Sequence, residues 1–218
     1  MSKRIAVILA GNGVYDGSEI YESVITLLSL DQADAQVQCF APDIPQMHVV
    51  NHLTGEVAEG ETRQVLVEAA RLARGEIKEI KEANADDFDA LIMPGGFGVA
   101  KNLSDFAVKG AEMSVEPSVL SLVQNFKAAG KPVGLICIAP TLATAIFGEG
   151  VKCTIGQDPD TAAAIETMGG QHVASEVDEI VVDEANKLVT TSAYMMAGRI
   201  REAASGITKL VDKVLAMA

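Results

Sequence analysis

The feature that most constrains this chain is the alternation of short apolar runs with longer amphipathic segments. The runs are rich in Ile, Val, Leu and Ala, and the segments between them repeat their apolar residues with a helical period. Strands of a parallel sheet have continuous apolar runs because helical crossovers bury both faces of the sheet. The pattern therefore predicts an α/β fold with a mostly parallel sheet.

Individual elements follow from this alternation. We predict strands over residues 5–10, 37–41, 90–93, 133–136, 151–155, 180–182 and 188–191. We predict helices over residues 18–30, 62–74 and 117–129, and a C-terminal helix whose apolar positions run from Ile200 to Val214. Ser18 is the expected cap of the first helix. That helix carries its apolar residues on one face: Ile20, Val24, Leu27 and Leu28. No repeat or linker divides the sequence, so residues 1–218 are expected to form a single domain.

Charge and cysteine content exclude several classes of protein. A net charge of −13 repels phosphate backbones and anionic headgroups, so neither nucleic acid nor a membrane is an expected partner. The apolar run over residues 5–10 is too short for a secretory or membrane-spanning segment. Three cysteines, Cys39, Cys137 and Cys153, are an odd number without paired spacing, which favours neither disulfides nor a zinc site. We therefore expect a protein of the reducing cytoplasm with no bound metal.

Cys137 stands where an apolar strand ends and a new helix is expected to begin. This is the geometry of a nucleophile elbow, in which a tight turn presents the side chain above the sheet. Backbone amides and a helix N-terminus at such a turn are expected to lower the pKa of the thiol below that of an unperturbed cysteine. The alternative is an inert buried cysteine that packs like a small apolar side chain. Position alone favours neither.

A second predicted strand ends at Pro94-Gly-Gly96. Glycines there allow a ligand to approach the backbone closely, and adjacent strand ends of an open parallel sheet share one crevice. The amides of Gly95, Gly96 and Ile138 are therefore candidates for an oxyanion hole around a carbonyl adduct of Cys137. Taken alone, the glycine motif is more typical of an ordinary tight turn.

The loop over residues 11–17 and the helix after it supply acidic candidates. The glycines of this loop fit neither phosphate-binding fingerprint. Glu19 follows in the first turn of the predicted helix, where a carboxylate is otherwise only a partner of the helix dipole. Asp16 and Glu22 are rival acids, and Tyr15 is a candidate for the mouth of the same site.

These motifs together resemble the PfpI-type branch of the class I glutamine amidotransferase-like superfamily. The resemblance covers essentially the whole chain and is most specific for the bacterial ElbB group. It rests on Gly-Val-Tyr-Asp-Gly-Ser-Glu-Ile20, Cys-Phe-Ala-Pro42, Asn-His-Leu-Thr-Gly-Glu56, Pro-Gly-Gly-Phe-Gly98, Ala-Lys-Asn-Leu-Ser104, Cys-Ile-Ala-Pro140 and Thr-Ile-Gly156. It implies a flavodoxin-like three-layer αβα sandwich, with Cys137 as nucleophile and Glu19 as the carboxylate that hydrogen-bonds it.

The chain departs from the wider superfamily around the cysteine. Leu135 and Ala139 stand where amidotransferases often have glycines, and Ile138 stands where protease-like members have a histidine. No histidine follows His172, so the late histidine of working glutaminases is also missing. Glutamine hydrolysis is therefore not expected.

The long connection over residues 42–61 contains His48 and His52. Loops of this length are often functional or specific to a family. Either histidine is a candidate for contact with substrate, since functional residues are enriched in loops, but loop histidines are more often solvated and structural.

ElbB proteins are named for enhanced lycopene, or isoprenoid, biosynthesis and are described as glyoxalases that convert glyoxal to glycolate. The resemblance thus implies a glyoxalase without cofactor, in which Cys137 adds to a small α-oxoaldehyde and Glu19 moves the protons. One rival is a non-enzymatic, redox-responsive regulatory protein linked to isoprenoid biosynthesis, and another is a vestigial amidotransferase subunit. Related proteins commonly pair, so a homodimer is expected.

Overall fold

The computed structural model describes residues 2–218. Its strands are β1 (Arg4–Ile8), β2 (Gln36–Ala41), β3 (Val50–Asn51), β4 (Glu56–Val57), β5 (Ile77–Glu79), β6 (Ala90–Met93), β7 (Val133–Ile136), β8 (Lys152–Cys153), β9 (Gln171–His172), β10 (Val181–Asp183) and β11 (Leu188–Thr191). Its helices are α1 (Ile20–Gln32), α2 (Val65–Leu72), α3 (Phe97–Lys101), α4 (Phe106–Lys109), α5 (Pro117–Ala128), α6 (Ala143–Phe147), α7 (Pro159–Thr167) and α8 (Ile200–Met217). Within residues 2–218, none of the helices has both the length and the apolar character needed to cross a membrane.

The central sheet has seven strands in the order β10-β11-β7-β6-β1-β2-β5. Neighbouring strands are parallel except β10 and β11. From β1 the chain builds the sheet outward to β2 and β5, and from β6 it builds outward in the other direction to β7 and β11. Ligands of such doubly wound sheets bind outside the carboxyl ends of the strands, where this direction reverses. The flavodoxin-like α/β fold predicted from the sequence is confirmed.

Two apolar cores cover the two faces of the sheet. The even-numbered apolar residues of β1 pack with α5 in one core, and its odd-numbered residues pack with α8 in the other. The buried face of α8 consists of Ala203, Gly206, Ile207, Leu210, Val211 and Val214, at the helical period predicted from the sequence. Because successive residues of a strand point to opposite faces, a continuous apolar run is what a sheet covered on both sides requires.

The first helix buries a different face from the one that its apolar residues suggest. Ile20, Val24 and Leu28 are each about half exposed, whereas Glu22 and Ser23 are fully buried. The small polar side chains of the buried face let α1 pack against α8. The same orientation carries the Glu22 side chain inward, toward the end of the sheet.

Several boundaries differ from the predictions. Ser18 does not cap α1; its hydroxyl accepts the N–H of Ala10 at 2.8 Å, and Glu19 is the cap. The predicted strand over residues 151–155 is reduced to β8, which pairs with β9 outside the central sheet. The predicted helix over residues 62–74 is shortened to α2, because Gln64 is extended and bridges to Pro45.

Candidate active site

Cys137 lies in the turn between β7 and a 3₁₀ helix at Ala139–Leu142. Its backbone is left-handed, with φ of 64°, and its N–H donates to the Thr191 carbonyl at 2.9 Å. This conformation costs a residue with a side chain about 1–2 kcal/mol, so the surrounding structure must hold it in place. The backbone therefore has the form of a nucleophile elbow. The residue is only 7% exposed, but it reaches the wall of a cavity.

Two backbone amides face the Cys137 sulfur. They are the N–H groups of Gly96 and Ile138, which follow the neighbouring strands β6 and β7. The amide of Gly95, the third predicted oxyanion donor, donates instead to Oε2 of Glu22 at 2.9 Å. The Gly95 N–H is therefore already engaged in this structure, which leaves the amides of Gly96 and Ile138 directed at the sulfur.

Glu22 is the carboxyl group that contacts the thiol. It is fully buried, shares a hydrogen bond with Cys137, and accepts the N–H groups of Gly95 and of Tyr194, the latter at 3.2 Å. Burial raises the pKa of Glu22 to about 7, helped by the charge of Glu19 and only partly opposed by the hydrogen bonds. A carboxyl whose pKa is raised toward neutrality suits a general base near neutral pH.

The pKa of the Cys137 thiol is raised, not lowered as the sequence suggested. Burial contributes most, and the charge and hydrogen bond of Glu22 add to it. The amides of Gly96 and Ile138 oppose the shift without cancelling it. The sequence reveals the turn but not how completely the turn is shielded from water, and shielding disfavours a thiolate. Because Glu22 and Cys137 share one hydrogen bond, the two groups titrate as a pair.

Glu19 occupies a different place from the one that the resemblance implies. It is the N-cap of α1, and its Oε2 accepts the N–H of Glu22 at 2.7 Å. This capping bond holds the Glu19 carboxylate at the helix end, so the hydrogen bond to Cys137 is made by Glu22, three residues later. Glu19 still lines the same cavity as Cys137, and burial raises the pKa of its carboxyl.

Glycine backbone packs closely against the side chains of Cys137 and Glu22 and the backbone of Glu19. A Cβ placed on Gly95 would lie 2.5 Å from Cβ of Cys137 and 2.8 Å from Oε2 of Glu22. Gly96 has φ of 98°, and a Cβ there would lie 2.3 Å from the Glu19 nitrogen. The Glu19 N–H donates to the Gly95 carbonyl at 2.9 Å, so the two loops touch backbone to backbone. Only glycine allows so close an approach at these two positions.

A cavity of about 600 Å³ opens in front of Cys137. Next to the thiol it is lined by Glu19, Gly96 and Ile138. The remaining lining is mostly apolar and consists of Val14, Phe97, Ala100, Lys101, Phe106, Ala107, Asp158, Thr161, Tyr194 and Met195. Small-molecule sites typically measure about 300–1,000 Å³, so this cavity suits a small organic ligand.

Tyr194 is a site residue that the sequence does not single out. It follows Ala193, which is left-handed with φ of 40°, and its N–H reaches Glu22. Its ring lies 6.1 Å from that of Tyr21, and burial, followed by the charge of Glu19, raises the pKa of its phenol. The sequence signal that could identify Tyr194 as a site residue is its position just after β11. This strand pairs with β7, which ends immediately before Cys137.

The remaining candidates from the sequence, Tyr15, Asp16 and His52, take part in hydrogen bonds between loops. Asp16 accepts the N–H of Val50 at 2.7 Å. Nε2 of His52 lies 3.2 Å from the Tyr15 nitrogen, and its Nδ1 lies 3.0 Å from the Val50 carbonyl. A neutral ring with its hydrogen on Nδ1 satisfies both contacts. The structure describes Tyr15, Asp16 and all three histidines, and none of them lines the cavity of Cys137.

Residues 2–218 also contain no cluster of three or more His, Cys, Asp or Glu side chains arranged for a metal ion.

Comparison with known proteins gives consistent matches over most of the chain. The model of the DJ-1/PfpI family matches residues 3–199. The human protein "Glutamine amidotransferase-like class 1 domain-containing protein 3, mitochondrial" is 46% identical over 221 residues, which cover 97% of this chain and 82% of the human protein.

Solved structures show the same relationship. An isoprenoid biosynthesis protein with an amidotransferase-like domain from Ehrlichia chaffeensis is 38% identical, with a TM-score of 0.93 over 99% of both chains. Glyoxalase III from Candida albicans has a TM-score of 0.62 at 13% identity, covering 99% of this chain and 97% of its own. At that identity the second likeness concerns the fold alone.

Proposed function

The chain belongs to the DJ-1/PfpI family, and from this premise we propose that it is a cofactor-independent glyoxalase that converts small α-oxoaldehydes to hydroxy acids. One observation carries the proposal. Glu22, a fully buried carboxyl, shares a hydrogen bond with Cys137 at the wall of a cavity, and burial raises the pKa of this carboxyl to about 7. Perturbed carboxyls paired with a nucleophile in a cleft are concentrated at catalytic sites.

In the first step, Glu22 takes the thiol proton while sulfur adds to one aldehyde carbon. The new C–S bond gives a hemithioacetal, whose oxyanion is held by the N–H groups of Gly96 and Ile138 until it takes up the proton that Glu22 removed from the thiol. Direct transfer to Glu22 compensates for the raised pKa of the thiol, because no free thiolate has to accumulate. A base with a pKa near 7 is matched to this transfer near neutral pH.

In the second step, Glu19 moves a proton between the two carbons of the substrate. It removes the hydrogen of the hemithioacetal carbon and returns a proton to the neighbouring carbonyl carbon, while the proton of the hemithioacetal hydroxyl passes to the neighbouring oxygen. The first carbon is thereby oxidised to a thioester and the second is reduced to an alcohol. Water then cleaves the thioester and restores the Cys137 thiol. Glyoxal and one water give glycolic acid, so no external oxidant or reductant is consumed.

The test is an assay of glyoxal, methylglyoxal and glutamine with wild type, Cys137→Ser and the matched control Cys153→Ser. We expect saturable formation of glycolate and lactate by wild type and by the control, and a loss of roughly 100-fold or more in Cys137→Ser. Turnover that survives in Cys137→Ser contradicts the proposal. Ammonia release from glutamine would favour an amidotransferase, and reversible oxidation of Cys137 without turnover would favour a redox-responsive regulator.

A further inference from the structure

We propose that the preferred substrate is an α-oxoaldehyde with a bulky, uncharged apolar substituent of about the size of a phenyl ring. This inference rests on the glyoxalase chemistry proposed for Cys137 and concerns which member of the substrate class the site takes. The volume of the cavity, the chemistry of its walls and the pairing of its charged groups all favour such a substituent.

The volume of the cavity exceeds what glyoxal needs. A water molecule takes up about 30 Å³ of liquid, and glyoxal is no larger than a few waters. It would leave most of the cavity of about 600 Å³ filled with solvent. A substrate that keeps its reacting aldehyde at Cys137 has room for a ring on the other side of its second carbonyl.

The walls away from the thiol are apolar. Phe97, Phe106 and Met195 line them, and Phe97 is 48% exposed beside the reacting corner. Glyoxal would leave this apolar surface in contact with water. An aromatic substituent would cover it, and removal of apolar surface from water favours binding.

The charged groups of the cavity already have partners within the chain. Nζ of Lys101 donates to the Tyr15 carbonyl at 2.8 Å and lies 5.4 Å above the centre of the Phe97 ring. Asp158 caps α7, where its carboxylate accepts the N–H of Thr161 at 2.9 Å. A charged substituent would have to compete with these contacts, whereas an uncharged ring would leave them intact.

Competition between substrates tests the inference. We expect kcat/KM for phenylglyoxal to exceed that for glyoxal by about tenfold or more, the scale on which an apolar pocket discriminates. Ala107→Trp would fill the cavity and lower the phenylglyoxal-to-glyoxal ratio by roughly tenfold. Its matched control is Val108→Trp on the same helix, at a residue that is 70% exposed and outside the cavity lining. A wild-type ratio at or below one, or equal ratios in the two variants, would overturn the inference.

A binding measurement separates this inference from the proposed function. The ketone 2-hydroxyacetophenone carries the ring without an aldehyde, and hydroxyacetone is its methyl counterpart. We expect only the aryl ketone to protect Cys137 from iodoacetamide at equal concentration. If no aldehyde is turned over but the aryl ketone protects, the glyoxalase function fails and the apolar site stands. If glyoxal is turned over but the two ketones protect equally, the function stands and the inference fails.

Discussion

Cys137 and Cys153 are both buried thiols near a carboxylate, yet their surroundings differ in the features that permit chemistry. Cys153 lies in β8, where its Sγ is 3.8 Å from the Pro140 carbonyl, and burial, followed by the charge of Asp183, raises the pKa of its thiol to about 12. Cys137 lies in a left-handed turn, with two amides on its sulfur and a cavity in front of it. Burial and a nearby acid are therefore not enough; amides aimed at sulfur and access for a ligand make the difference.

The two carboxylates extend the comparison. Burial opposes ionisation of Asp183, but the N–H groups of Lys152 and Asn186, at 2.9 and 3.1 Å, hold the pKa of its carboxyl below the ordinary value. The pKa of Glu22 is raised to about 7. Asp183 is thus fixed as a charged structural acceptor, whereas Glu22 is able to exchange a proton in the physiological range.

Replacement of Glu22 and of Asp183 by the corresponding amides should give the largest difference in activity. We expect Glu22→Gln to lower kcat/KM for the preferred aldehyde by about 10²–10⁴-fold, the usual contribution of a general base. Asp183→Asn should stay within about threefold of wild type, because a structural acceptor takes no part in the chemistry. Glu19→Gln should also lose activity, but it should keep the hydrogen bond between Glu22 and Cys137. A Glu22→Gln enzyme within threefold of wild type would contradict the assigned base.

Stability should depend on pH in opposite ways at the two acids. The pKa of folded Glu22 lies above its ordinary value of 4.5, so its contribution to stability is present below that value and is lost as pH rises through about 7. The shift corresponds to roughly 3 kcal/mol. Glu22→Gln should therefore gain about 2–3 kcal/mol in unfolding free energy relative to wild type between pH 5 and pH 8.5. Asp183 has a lowered pKa, so Asp183→Asn should be less stable than wild type at neutral pH.

Urea unfolding of wild type and both variants at the two pH values measures these differences directly. If the difference in unfolding free energy between wild type and Glu22→Gln does not change with pH, the pKa of Glu22 is not raised in the folded protein.

Thiol labelling should give the smallest contrast, because the pKa values of all three cysteines are raised. Burial raises the pKa of Cys39 to about 11. We nevertheless expect limited iodoacetamide at neutral pH to label Cys137 about tenfold faster than Cys39 or Cys153, since only Cys137 combines a nearby base with access from a cavity. Peptide mass spectrometry of the folded protein measures the ratio. Predominant labelling of Cys39 or Cys153 would remove the basis of the mechanism.

The sequence predicts the fold well because the apolar runs of β1, β6 and β7 leave few alternatives to a buried parallel sheet. It also indicates the turn at Cys137 and the facing amides of Gly96 and Ile138. It does not distinguish Glu19 from Glu22, because that choice depends on the residue at which α1 begins. Nor does it predict the exposed apolar face of α1, because the buried face is selected by close packing and by the inward position of Glu22.

Other features stay predictions from the sequence. The single domain, the homodimer and the cytoplasmic location belong to this group; light scattering at micromolar concentration tests the homodimer. The human relative is named as mitochondrial, and that name concerns the human protein.

The glycine contacts between the loops after β1 and β6 also bear on how such a chain diverges. A Cβ on Gly98, in the first turn of α3, would lie 2.5 Å from Cα of Gly17, so neither segment tolerates a larger residue here while the other stays in place. The far wall of the cavity on α4 is instead formed by the side chains of Phe106 and Ala107. Substitutions are thus tolerated less well beside Cys137 than in the part of the cavity that contacts the rest of the substrate. A lineage built on this fold can acquire new substrates without first losing its chemistry.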